Sequence, residues 1–233
     1  MKRSLDLARL AWIVAAHFVV FSAARIGLYW IWRTSFEELS TGELLRAASR
    51  GLLFDASIIA LGLSPLIVAF ALPFEFARGR RWRTAWSWYA FAHLCIVLLL
   101  LAGDVAYFGT VGRHAGPEFV AMIDDPALIN SIVWESYRLA FCGVLLGLVL
   151  LGALWRRVMS WDERWSMLRA PAWAAVAFLP LLFFGIRGNA SGKPISVVDA
   201  FASGSVSAGY LTLNGPFSIA HAILHEDQRP AEF

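Results

Sequence analysis

The stretch Ala85–Arg113, AWSWYAFAHLCIVLLLLAGDVAYFGTVGR, constrains this chain more than any other. It is long enough to cross a hydrocarbon core of roughly 30 Å at about 1.5 Å per residue. Trp86, Trp88 and Tyr89 open it as an interfacial aromatic belt would. Two polar residues interrupt it, His93 and Asp104. They stand eleven positions apart, about three helical turns, and so fall on nearly one face. Lipid cannot satisfy such a stripe, so this helix must turn it toward other protein or toward water.

The rest of the chain supplies neighbours of the same kind. Of its 233 residues 59% are hydrophobic and only 16% charged, against about a quarter charged in soluble domains. The expected fold class is an all-α membrane protein with five transmembrane helices, at about 10–31, 51–74, 85–108, 139–155 and 171–186. Residues 1–186 form the membrane domain and 187–233 an outer-face juxtamembrane linker. Thr34–Arg50 reads as a separate amphipathic helix on the membrane surface. The linker reads as two more, one at Val197, Val198 and Phe201, the other opened by Asn214–Gly215–Pro216 and carrying Phe217, Ala220 and Leu224 on one face. Asp125 before Pro126 reads as the N-cap of a helix that can run past Trp134 and Tyr137 into the fourth span.

Basic residues set the orientation. With the N-terminus inside, eleven fall on the inner side, mostly in 78–83 and 156–169. Eight are spread over the longer outer segments. The expectation is N-in, C-out, with the tail on the outer side. The arginines of 78–83 suit anionic headgroups, so no nucleic-acid partner is expected. Cys95 and Cys142 lie inside apolar runs and predict no disulfide.

That topology brings Arg25, Asp55 and Asp104 to similar depth in the outer part of the bilayer, with Arg113 just beyond. The first reading is an ion-pair knot of Arg25 with Asp55 or Asp104. The sharper one is a polar pocket in which Arg25 or Arg113 meets a lipid phosphate. Gly51 and Gly62 fall near the Asp55 face and permit close helix approach. His17 and His93 share a depth nearer the inner side; each is expected to bond a neighbouring helix, with a proton relay as the alternative. Gly143 and Gly147 make a GxxxG pattern, for dimerisation or internal packing. His114, Asp124 and Asp125 match no metal spacing. No phosphate-binding loop, nucleophile elbow or metal-spaced cluster is present in the sequence, so no catalytic residue is expected here.

Three segments, RAASRGLLFDASIIALG (Arg46–Gly62), GDVAYFGTVGR (Gly103–Arg113) and GKPISVVDAFASGSVSAGYLTLNGPFSIAHAI (Gly192–Ile223), carry a resemblance. With the five-span pattern, they resemble the N-terminal membrane half of the lipoteichoic acid synthase / phosphoglycerol transferase family of membrane-anchored, sulfatase-like enzymes. The resemblance implies a membrane anchor that presents phosphatidylglycerol at the outer face. Arg25, Asp55, Asp104 and Arg113 are then the candidates for contact with the lipid headgroup. It also implies an outer domain, beyond these residues, with a threonine nucleophile and a manganese or magnesium ion. Two rival functions remain: a polytopic scaffold that recruits a periplasmic or membrane partner, or pairs with its own copy, and a small transporter.

Overall fold

The computed structural model describes residues 4–71, 80–118, 122, 125–159, 169–171, 174–189 and 192–224. Four helices form the bundle: α1 (Leu7–Ile31), α2 (Thr41–Ala71), α3 (Arg80–Val111) and α5 (Arg138–Val158). All four are long and apolar enough to cross a membrane. A shorter α4 (Pro126–Ser136) precedes α5, and α6 (Ala174–Arg187) follows it. The tail adds α7 (Val197–Ala200), α8 (Val206–Thr212) and α9 (Gly215–Leu224). One short antiparallel pair, β1 (Ser4–Asp6) with β2 (Arg169–Pro171), ties the start of α1 to the approach of α6.

Side-chain contacts fix the helix directions. His17 meets His93 and Trp32 meets Val105, so α1 and α3 run parallel. Arg25 meets Asp55, and Tyr89 meets Gly62, so α2 runs against both. The core lies along the three-helix seam, where Phe21, Leu63, Leu66, Ala90 and Leu94 are almost wholly excluded from the surface. On α5 the Trp155 indole enters the seam and donates to the Ser87 hydroxyl at 3.1 Å. Its other face exposes Leu139, Leu146, Val149 and Leu150, as a helix facing hydrocarbon does.

Four sequence expectations change. The amphipathic helix expected over Thr34–Arg50 is not separate from the second span. Arg33–Phe36 forms a 3-10 turn, and a capping box at Ser40 starts a single helix that runs through to Ala71. In that box the Ser40 amide and hydroxyl donate to Glu43 at 2.9 and 2.6 Å, and the Glu43 amide returns to Ser40 Oγ at 3.4 Å. The helix opened by Asp125, whose carboxylate accepts from the Leu128 amide at 3.0 Å, does not continue into the fourth span. It ends at Ser136, and α5 restarts after Tyr137 (φ −127°, ψ 16°). Within the described residues the fifth segment, α6, has 14 residues, about 21 Å of helix, less than a hydrocarbon core requires. It stops where the Ser57 hydroxyl donates to the Ile186 carbonyl at 2.6 Å, and Gly188 (φ +64°) turns the chain away.

The fourth change concerns the tail. Its middle does not lie on a surface: Ala208, Leu211, Thr212, Leu213, Asn214 and Phe217 are all buried, while Val198 and Leu224 stay exposed. They fill the end of the bundle that α6 leaves open, where α8 packs on α2 and α9 on α3 and α2. The Asn214 cap forms as the sequence predicts, its side-chain oxygen accepting from the Phe217 amide at 2.8 Å.

Candidate functional site: a buried charge cluster that clasps the tail

Arg25 lies six residues before the end of α1, and Asp55 lies in the half of α2 beside it. The guanidinium donates through both terminal nitrogens to the two Asp55 oxygens, each at 2.8 Å. Asp55 is fully buried and Arg25 is 9% exposed. Two charges withdrawn this far from water need every remaining donor and acceptor filled. The tail does this. Arg25 Nε donates to the Leu211 carbonyl at 2.9 Å, and Asn214 Nδ2 donates to Asp55 Oδ1 at 2.9 Å. The Thr212 carbonyl lies 3.5 Å from Arg25 Nη2. Gly51 makes the arrangement possible, because a Cβ there would sit inside the guanidinium, 2.6 Å from Cζ.

Asp104 belongs to a second group, and the sequence reading missed its partner. The His114 ring lies between two acceptors, with Nδ1 at 2.6 Å from Asp104 Oδ2 and Nε2 at 2.7 Å from the Tyr210 carbonyl. The other Asp104 oxygen accepts from the Ala115 amide at 2.9 Å. Gly215 packs its Cα against the same carboxylate.

The four sequence candidates therefore divide. Arg25 pairs with Asp55, one of the two partners that the ion-pair reading offered. Asp104 pairs with His114. Arg113 stands apart, half exposed, in a 3.0 Å ion pair with Glu118. Arg25, Asp104, His114 and Asn214 share one small cavity of about 20 Å3, room for a single water. A phosphate headgroup does not fit in it. The sequence signals for the missed residues are present but quiet: His114 sits midway in a short loop bounded by Gly112 and Gly116, and Asn214 reads fully as a helix cap.

Glu118 lies outside the spanning helices. Partial burial raises its carboxyl, but the Tyr107 hydroxyl at 2.7 Å and the Arg113 charge outweigh this and hold it below its ordinary value. A carboxyl lowered in the fold stabilises the fold above its unfolded value and loses that contribution as pH falls through the folded one. The 113–118 loop should therefore keep its amide-exchange protection at pH 7 and lose it below about pH 4. Glu118→Gln should remove most of this pH dependence.

Further along the seam, His93 Nδ1 donates to His17 Nε2 at 3.0 Å, and His17 Nδ1 donates to the Ile13 carbonyl at 2.7 Å, with the rings stacked. The tautomers follow from these partners. Each histidine thus bonds a neighbouring helix, the first choice of the sequence reading, and does so through the other. Gly62 backs the His93 ring, and a Cβ at Gly62 would overlap it. Gly62→Ala should therefore lower stability by about 1–3 kcal/mol, read as a drop in Tm in detergent. Phe21, 1% exposed, lies one helical turn from both His17 and Arg25 on the same face of α1, so an apolar ring separates the histidine pair from the charge cluster. Gly143 and Gly147 meet nothing within 4 Å, so the GxxxG pattern serves no packing within the described residues. Among the described residues, no group of three or more His, Cys, Asp or Glu side chains is placed to hold a metal ion. Asp124 lies outside the described residues.

No family model, no curated protein and no solved structure matches this chain.

Proposed function

We propose that this chain is the membrane anchor of a phosphoglycerol-transferase-like enzyme. In this reading α6 and the tail together complete a fifth crossing, the N-terminus is inside, and the tail leaves on the outer side of a bacterial cytoplasmic membrane. The domain holds the juxtamembrane segment at a fixed place and presents phosphatidylglycerol to the enzyme's chemistry. One observation carries the reading: Arg25, Asp55 and Asp104, buried on three helices, reach the tail at Leu211, at Asn214 and, through His114, at Tyr210. Buried charge is expensive in a membrane. Spending it on a short terminal segment makes sense if the position of that segment is what the domain must fix. The resemblance supplies the chemistry, and the manganese or magnesium ion belongs to residues outside this chain.

The test is an assay of the purified native gene product for release of glycerol phosphate from phosphatidylglycerol in vesicles with manganese or magnesium present. Metal-dependent transfer is expected, with a product mass well above 25.8 kDa. A folded product that leaves phosphatidylglycerol intact would overturn the enzyme reading and favour the scaffold. The transporter finds less support, since the His17–His93 pair is closed off by Phe21.

A further inference from the structure

An apolar groove of about 540 Å3 runs between α1 and α3 and meets the start of α5. Its walls are Val20, Ala23 and Gly27 on one side and Leu98, Ala102 and Ala106 on the other. The small residues among them, Ala23, Gly27, Ala102 and Ala106, at helical spacing, hollow out the seam. On α1 the groove extends from Val19 to Trp32, about 20 Å, a little more than one leaflet's share of a hydrocarbon core. Both walls belong to helices that can cross the membrane.

The end of the groove is built. The Trp32 indole closes it and is fixed in place: its N–H donates to the Val105 carbonyl at 2.7 Å, and its ring packs on Gly109, where no side chain could stand. Tyr137, in the break before α5, lines the same mouth. Each of these two aromatics is followed in the chain by an exposed arginine, Arg33 and Arg138. Arg33 stacks on Trp30, 5.5 Å from the ring centre, which leaves its donors available. So an apolar slot about one leaflet deep ends at two interfacial aromatics, each followed in the chain by an exposed arginine. This is the inverse of an anionic phospholipid, with acyl chain below and phosphate above.

We infer that the α1–α3 groove binds one acyl chain of an anionic phospholipid, with Arg33 and Arg138 holding its phosphate. This deepens the proposed function, on which it rests for the choice of outer leaflet, and it moves headgroup contact from Arg25, Asp55 and Asp104 to the rim. The tail-clasping cluster lies beside the groove, sharing Ala24, Leu101 and Val105 with it.

The chain is placed in nanodiscs with phosphatidylglycerol or phosphatidylcholine carrying a photoactivatable group on the acyl chain, and the labelled peptides are mapped by mass spectrometry. Labelling is expected to concentrate in 19–31 and 98–106. Gly27→Leu with Ala106→Leu fills the groove and should cut that labelling about tenfold. A Cβ at Gly27 meets nothing within 4 Å, so the variant can fold, and an unchanged Tm confirms that it has. Arg33→Gln and Arg138→Gln should each reduce the preference for phosphatidylglycerol about fivefold and leave phosphatidylcholine labelling unchanged. Labelling spread evenly around the bundle would overturn the inference. So would cross-links that place a second copy's α5 in the groove. Loss of transfer by the native product with groove labelling retained would sink the enzyme reading and leave the site standing; the reverse would sink the site alone.

Discussion

Arg25→Met is expected to be among the most damaging single substitutions in this chain, lowering the unfolding free energy by about 3–5 kcal/mol. It leaves the Asp55 carboxylate with no solvent exposure and no cation. It also strips the Leu211 carbonyl of its donor. The informative companion is Arg25→Met with Asp55→Leu, which removes both charges and keeps similar volume. Apolar replacement of a complete buried pair is often neutral, so the bundle should regain most of its stability. The Leu211 carbonyl and Asn214 amide would still lack partners. The double variant should therefore have a bundle as heat-stable as the parent, by size-exclusion after heating in detergent, and a loosened tail.

Gly215→Ala is the second large effect. The new methyl group would overlap the Asp104 carboxylate, which can give way only by releasing His114 or the Ala115 amide. Overpacking of this kind costs about 1–3 kcal/mol, and the displaced hydrogen bonds add to it. Gly103→Ala is the matched control on the same helix, since a Cβ there meets nothing within 4 Å. It should be neutral or slightly stabilising, because alanine is the better helix former. A Tm difference of several degrees between the two variants is the expected result.

The parts of this fold governed by local rules were legible in the sequence. Apolar length found α1, α3 and α5, and cap chemistry found Asp125 and Asn214. That Arg25 meets a carboxylate of another span followed from counting residues along the spans, which left Asp55 and Asp104 as alternatives. What sequence could not show was competition for the same space. Thr41–Arg50 carries a partial amphipathic period, which suits a surface helix as well as the first turns of a long one; only the Ser40 capping box distinguishes them, by placing the start. The tail read as surface helices because its apolar residues sit on one face and its glycines look like linker. Gly209 and Gly215 are in fact the contact points, against Phe201 and Asp104. An apolar face with glycine beneath it fits a protein interior as well as a membrane surface, and the deciding fact is the gap left where α6 ends. His114 was invisible as a partner for Asp104 because the loop between them returns by an irregular path.

The central claim is that buried charge in the helices fixes the tail. Hydrogen exchange in nanodiscs tests it most directly, comparing the parent with the Arg25→Met, Asp55→Leu double variant. In the parent, the amides of Leu213, Phe217 and Ser218 should be protected nearly as well as those in the middle of α2. In the double variant they should exchange at least tenfold faster, the loss of about one charged hydrogen bond, while α1, α2 and α3 keep their protection. Tail amides that exchange equally fast in both proteins would contradict the account, because the charges would then stabilise the bundle and place nothing.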